Sequence, residues 1–161
     1  VSTTSPNPTA IPVTPTVSYA YDNLGNPTSM TDGMGNVTYE YNQLSQLTAE
    51  TRQFNDNLPN APLSNNRYRM EYGYSLSGQL GFYKDAWGQQ INYAFDKTGR
   101  LNSVTGTPVG GISNFASNAE YRAWGGLKHL DYGNGTQMNT GGFNSRLQAT
   151  TFEVRKDANI I

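Results

Sequence analysis

From Tyr19 onward the chain alternates apolar and polar residues with a period of two, and turn-forming residues interrupt the alternation every six to ten positions. Period two is the signature of a strand with one face turned from water. The clearest stretch opens with Tyr19 and Tyr21, breaks at Asp22-Asn-Leu-Gly25, and breaks again at Asp32-Gly-Met-Gly35. It restarts with Tyr39 and Tyr41, then with Tyr72 and Tyr74, then with Tyr93 and Phe95, the later aromatics of paired copies standing 20 and 21 residues apart. Aromatics two apart lie on one strand face and pack as a ladder against copies in neighbouring strands, so these eight are the expected core.

The breaks have a chemistry of their own. Asp22, Asn42, Ser75 and Asp96 follow the aromatics, and their side chains accept hydrogen bonds from backbone N–H groups just ahead. Gly25, Gly78 and Gly99 supply the positive φ that such a turn requires. Leu47, Leu80 and Leu101 resume the alternation on the returning strand, and a second turn follows at Asp32 to Gly35 and at Asp85 to Gly88. Each unit is therefore two strands and two turns. The pattern predicts an all-β chain of roughly ten to twelve short strands and no helix. These stack as antiparallel hairpins into a twisted open sheet or partial spiral.

Further along, Tyr132-Gly-Asn-Gly135 reads as a hairpin turn. Phe143-Asn-Ser-Arg-Leu147 reads as a shortened copy of the repeat turn, and Thr150 to Val154 as a last strand. Two stretches rich in Asn, Pro, Gly and Ser, 53–66 and 106–118, read as long loops between units. Residues 1–18 form a separate block, with five Thr, two Ser and four Pro before Ser18. That composition suits an extended arm, with Ile11, Val13 and Val17 on one face. The organisation expected is an arm over 1–18 and a repeat domain over 19–161. The chain opens on Val1 and not Met, as a processed product or a piece of something longer would.

Composition sharpens this picture. Apolar residues make up only 35% of the chain, but 11 Tyr, 6 Phe and 2 Trp supply large side chains to bury. A net charge of −1 with 14% charged residues gives no footprint for nucleic acid. Cysteine is absent, which removes disulfides and thiolate metal sites. No segment is long and apolar enough to insert in a bilayer. Nothing in the spacing of acidic residues or glycines makes a metal or cofactor site.

Catalysis finds little footing. The one histidine, His129, sits in strand-like alternation with Asp131, as an ordinary strand residue. Asp22, Asp32, Asp85 and Asp96 occupy repeat-equivalent positions, so turn capping accounts for them before paired-carboxylate chemistry does. Trp87 and Trp124 are candidates for stacking on a sugar ring if they are exposed. The expectation is a non-enzymatic structural or binding module.

The units resemble those of the Rhs/YD-repeat family, which read Tyr-x-Tyr-Asp-x-x-Gly-Arg-Leu-x-x-Val-Thr followed by Asp-x-x-Gly. Phe95-Asp-Lys-Thr-Gly99-Arg-Leu-Asn-Ser-Val104-Thr105 matches nearly throughout, and the resemblance extends from Tyr19 to Val154. It implies a β-sheet that spirals into a shell, as in bacterial polymorphic toxins, wall-associated proteins, insecticidal toxin complexes and teneurins. It implies a secreted or cell-surface protein, bacterial in origin, serving as scaffold or shell segment. Four or five units are too few to close such a shell. The partners expected are therefore further repeats of a longer chain or copies of this one, joined into a filament through the arm. A glycan is the remaining candidate.

Overall fold

The computed structural model describes residues 15–56 and 66–156, together with the backbone of 159–160. Thirteen strands form one antiparallel sheet in which every strand pairs with its neighbours in sequence. They are β1 (Ser18–Tyr21), β2 (Pro27–Asp32), β3 (Gly35–Tyr41), β4 (Leu47–Phe54), β5 (Arg67–Tyr74) and β6 (Leu80–Lys84). There follow β7 (Gln90–Phe95), β8 (Leu101–Val109), β9 (Ile112–Tyr121), β10 (Leu127–Tyr132), β11 (Thr136–Thr140), β12 (Phe152–Lys156) and β13 (Asn159–Ile160). No helix occurs among the described residues. The sheet is open: β1 and β13 are its edges.

One turn builds most of this. In seven connections the first turn residue donates its N–H to the carbonyl four residues on and accepts from the N–H three residues on. The residue three along stands at positive φ, as at Gly25 (86°), Gly78 (82°), Gly88 (84°) and Gly99 (81°). This is a type I turn closed by a left-handed residue, which folds the chain back with one bulge. The bulge is visible as a register shift just before Tyr21, Tyr41, Tyr74 and Phe95. Capping by the first side chain is local and strong. Asp22 Oδ1 accepts from Leu24 and Asn26 N–H at 2.8 Å each, and Asp96 Oδ1 accepts from Thr98 and Arg100 at 2.8 and 3.0 Å.

Directly opposed residues of an antiparallel pair share a face, so the register sorts the sheet into two surfaces. One carries the rows Met30–Val37–Arg52–Tyr68, Tyr72–Tyr83–Ile91, Tyr93–Val104–Ala116 and Leu130–Met138–Val154. The other carries Ser29–Thr38–Thr51–Arg69, Glu40–Ala49–Glu71–Lys84 and His129–Asn139–Glu153. An aromatic and aliphatic face thus backs onto a polar one.

That arrangement corrects the expectation of an aromatic core. A single layer encloses nothing, and among the described residues only Val37 and Ala49 are buried hydrophobics. Tyr19 and Tyr21 are 54% and 61% exposed, while Tyr39, Tyr41, Tyr72, Tyr74, Tyr93 and Phe95 are half-buried along the aromatic face. They pack sideways on neighbours in their own layer. Tyr72 lies 5.9 Å from Tyr83 between ring centroids.

The loop expected over 106–118 is also corrected. Those residues belong to β8 and β9, joined by a two-residue turn at Gly110 and Gly111 with φ of 58° and 84°. Two positive-φ residues make the tight hairpin that matches strand twist. Its Gly, Ser and Asn content mimicked a loop. Of 53–66, Gln53 and Phe54 end β4, and 57–65 lie outside the described residues. So do Ile11 and Val13 of the arm, whereas Val17 is 50% exposed just ahead of β1.

The turn at Phe143 is a full copy and not a shortened one. Asn144 N–H bonds to the Gln148 carbonyl, and Leu147 N–H to that of Asn144, which seats Leu147 in the glycine position with φ 60°. A left-handed leucine is strained by about 1–2 kcal/mol. Leu147→Gly is therefore expected to raise stability by about 1 kcal/mol, since Leu147 is 54% exposed and little packing is lost. A urea midpoint unchanged or lowered in that variant would show that the strain is relieved some other way.

Candidate functional site

Because successive connections alternate between the two ends of the strands, the turns form two rims. One rim carries the turns opened by Asp22, Asn42, Ser75, Asp96, Arg122 and Asn144; the other carries Asp32, Asp85, Gly110 and Tyr132. The turn residues singled out from the sequence stand in a connection or flank one, Asp32 ending β2 and Gly35 opening β3. Asp85 Oδ1 accepts from Trp87 and Gln89 N–H at 2.9 and 2.8 Å, with Gly88 closing that turn. Asp32 Oδ1 accepts from Met34 N–H and from Arg52 Nη2, both at 2.8 Å. Gly35 ends that connection at φ 145°.

These bonds reshape the carboxylates. Hydrogen bonds from Asn26 hold Asp22 below its ordinary range, and the Arg52 guanidinium does the same for Asp32. Asp96 is held furthest down, first by the Thr98 hydroxyl and then by the Arg100 N–H. On the aromatic face the effect runs the other way. Burial first, and then the Glu50 carboxylate at 3.0 Å, push the Tyr72 phenol up to about 12.

The polar face carries an ion-pair lattice around Arg69. Its Nη2 reaches Glu40 Oε2 at 3.0 Å, its Nε reaches Glu71 Oε1 at 3.0 Å, and Lys84 holds the other Glu71 oxygen at 3.2 Å. Arg69 Nη1 also lies 3.4 Å from the hydroxyl of Thr51, which is 4% exposed.

Near the far end, His129 sits between β9 and β11 with Nδ1 at 2.8 Å from Asn139 Oδ1 and Nε2 at 2.9 Å from Asp131 Oδ1. Asn118 donates to the other Asp131 oxygen at 2.7 Å. The Nδ1 contact is a hydrogen bond, whereas buried Asp131 Oδ1 has no hydrogen-bond partner even with Nε2 beside it. Among the described residues no cluster of three His, Asp or Glu side chains is arranged to hold a metal ion.

The two tryptophans are exposed, at 61% for Trp87 and 49% for Trp124. They do not make one platform, because Trp87 stands on one rim and Trp124 on the other. Each is engaged edge-on by a neighbour instead: Trp87 by Tyr68 at 5.7 Å, Trp124 by Phe143 at 5.4 Å.

Tyr121 to Leu127, where the sequence pattern decays but survives and reads as the entry to a strand, builds a further copy of the turn. Tyr121 plays the part of the repeat tyrosines, its hydroxyl donating to the Leu101 carbonyl at 2.7 Å as that of Tyr74 donates to Leu47 at 2.9 Å. Arg122 opens a turn with no accepting side chain, so backbone bonds and Gly125 (φ 95°) hold it. The four-residue interval from Tyr121 to Gly125 was the signal.

The family model described as RHS Repeat matches residues 21–53, which run from the last residue of β1 to the penultimate residue of β4. No curated protein sequence matches the chain. Several solved structures share its fold. A TcdB2–TccC3–TEV crystal structure superposes with a TM-score of 0.74 at 17% identity, covering 91% of this chain and 8% of that one. TcdB2–TccC3 without its hypervariable C-terminal region gives 0.74 at 18%, covering 90% and 8%. A Photorhabdus luminescens Tc holotoxin pore carrying a TccC3 variant gives 0.70 at 19%, covering 85% and 7%. At these identities the likeness is one of fold, and the chain spans less than a tenth of the length of each. The Rhs/YD-repeat resemblance read from the sequence holds.

Proposed function

We propose that this Rhs/YD-repeat chain is a non-catalytic wall segment of a secreted, toxin-type shell or scaffold. The observation that carries the reading is the single-layer sheet: one face is aromatic and aliphatic, and nothing in the described residues covers it. A sheet of this kind satisfies its apolar face by curving around contents or against further wall, which is what a longer run of the same repeats provides. The small fraction of each structural neighbour that the chain spans supports a part within a larger wall. The toxin complexes named among those neighbours support an extracellular setting.

Two measurements on the isolated chain test this. The uncovered face is expected to bind a hydrophobic dye such as ANS strongly, and replacing Tyr39 and Tyr93 with serine is expected to reduce that fluorescence severalfold. A glycan array is expected to stay blank. Weak dye binding, together with glycan binding lost in Trp87→Ala or Trp124→Ala, would reassign the chain as a sugar-binding module.

A further inference from the structure

The turns of the Asp22 rim touch one another. Adjacent turns on one rim lie two strands apart, close to 10 Å, a gap that a backbone cannot bridge but a long polar side chain can. Asn26 Nδ2 donates to Ser45 Oγ at 3.0 Å, and Gln46 Nε2 reaches the Gly78 carbonyl at 3.5 Å. Gln79 Nε2 donates to the Gly99 carbonyl at 2.6 Å, and Arg100 Nη1 reaches the Arg122 carbonyl at 3.5 Å. All four donors occupy one position, the residue directly after the left-handed turn residue. All four reach forward to the next turn of the same rim. The shortest of them, Asn26, meets a side-chain oxygen that extends toward it.

The next turn breaks the rule informatively. Gly126 occupies the donor position and has no side chain. A Cβ there would stand 3.0 Å from Trp124 Nε1 and 3.4 Å from Phe143 Cε1. The Trp124 and Phe143 rings meet edge to face at 88°, and the Arg122 guanidinium lies 5.4 Å over Phe143. Rings fill the place that an amide or guanidinium fills elsewhere.

We propose that the residue following the left-handed turn position is an inter-repeat clamp, which reads the neighbouring turn and holds the two at fixed separation. Its chemistry is a choice between a polar donor of Asn, Gln or Arg length and a glycine with an aromatic clasp. This assigns a stacking role to a position that the turn itself does not require, and it is independent of what the sheet encloses.

Gln79 is the place to test it, because its bond is the shortest, and Gln89 is the control. Gln89 occupies the same position in the Asp85 turn on the opposite rim, is exposed, and among the described residues makes no side-chain bond to another turn. Amide hydrogen exchange at Asp96 and Gly99, whose N–H groups close the neighbouring turn, is the readout. Gln79→Glu keeps the acceptor for Ser77 Oγ but places an oxygen against the Gly99 carbonyl. It is expected to speed exchange at both amides roughly three- to tenfold. Gln79→Arg is expected to preserve protection, as Arg100 does in its own turn, and Gln89→Ala to leave Asp96 and Gly99 unchanged. Circular dichroism confirms that each variant keeps its β-sheet. Unchanged exchange at Asp96 and Gly99 in Gln79→Glu overturns the clamp, as does an equal acceleration in Gln89→Ala.

Discussion

Replacing Gly35 with alanine is expected to cost at least about 3 kcal/mol, a large share of the 5–15 kcal/mol that holds a domain together. Two penalties coincide there. Gly35 adopts φ 145°, a region that L side chains rarely enter, and it is buried at the start of β3. A Cβ would stand 2.0 Å from the backbone carbonyl oxygen of Gln53 and 3.1 Å from the Phe54 Cα. Those atoms belong to the paired strand β4, so relief means prying the ladder apart. Gly25 separates the two contributions. Its φ is 86°, but a Cβ there meets nothing within 4 Å, so Gly25→Ala carries only the backbone penalty of about 1 kcal/mol. Urea titration of both variants decides the matter. Equal midpoints would mean that the close approach to β4 relaxes without cost.

Acid is expected to unfold the chain through its turns and its polar face. Asp22, Asp32, Glu40, Glu71, Asp96 and Glu120 are all held below their ordinary values by hydrogen bonds from Asn26, Arg52, Arg69, Thr98 or Lys128. A group with a depressed folded pKa binds fewer protons in the native state than in the unfolded one. Stability from such groups is therefore fully present above the ordinary carboxylate range near pH 4, and drains away as pH falls below it. The ion pairs are half-buried or exposed and individually weak. The turn carboxylates matter more, because each accepts several bonds that a protonated acid holds less well. Thermal melts from pH 7 to pH 2 are expected to show a midpoint that is level at first and then falls below about pH 4. Asp96→Asn is expected to flatten part of that fall, since Asn42 and Asn144 cap equivalent turns without titrating. A midpoint equally steep in that variant would remove Asp96 from the account.

Much of the molecule is legible in short windows of sequence, for a local reason. The turn is closed by bonds within five residues, so an accepting side chain and a left-handed residue three positions later suffice to announce it. That is why the turns at Asp22, Asp85 and Asp96 can be read directly, and why the aromatic alternation places Tyr39, Tyr72 and Tyr93 on one face. Where the local rule is broken, reading is only partial, and Phe143 to Leu147 shows as a shortened copy of the turn. Leu147 is a poor left-handed residue, and its turn forms because β11 and β12 pair on either side of it. Residues 106–118 look like a loop because Gly, Ser and Asn predominate. Yet Gly106 is there for packing: a Cβ would stand 2.3 Å from the Gln90 carbonyl oxygen and 2.8 Å from the Phe115 ring.

The repeat of aromatic, turn-former and glycine thus determined by itself the class of fold, the hairpin and its periodicity, since each depends on interactions between near neighbours. Only the tertiary structure decided that the aromatics line one face of a single layer and fill no core. It also decided that Trp87 and Trp124 stand on opposite rims, and that Gln79 touches Gly99. Those outcomes depend on strand register and on which connections share a rim, quantities summed over many strands that no single window contains.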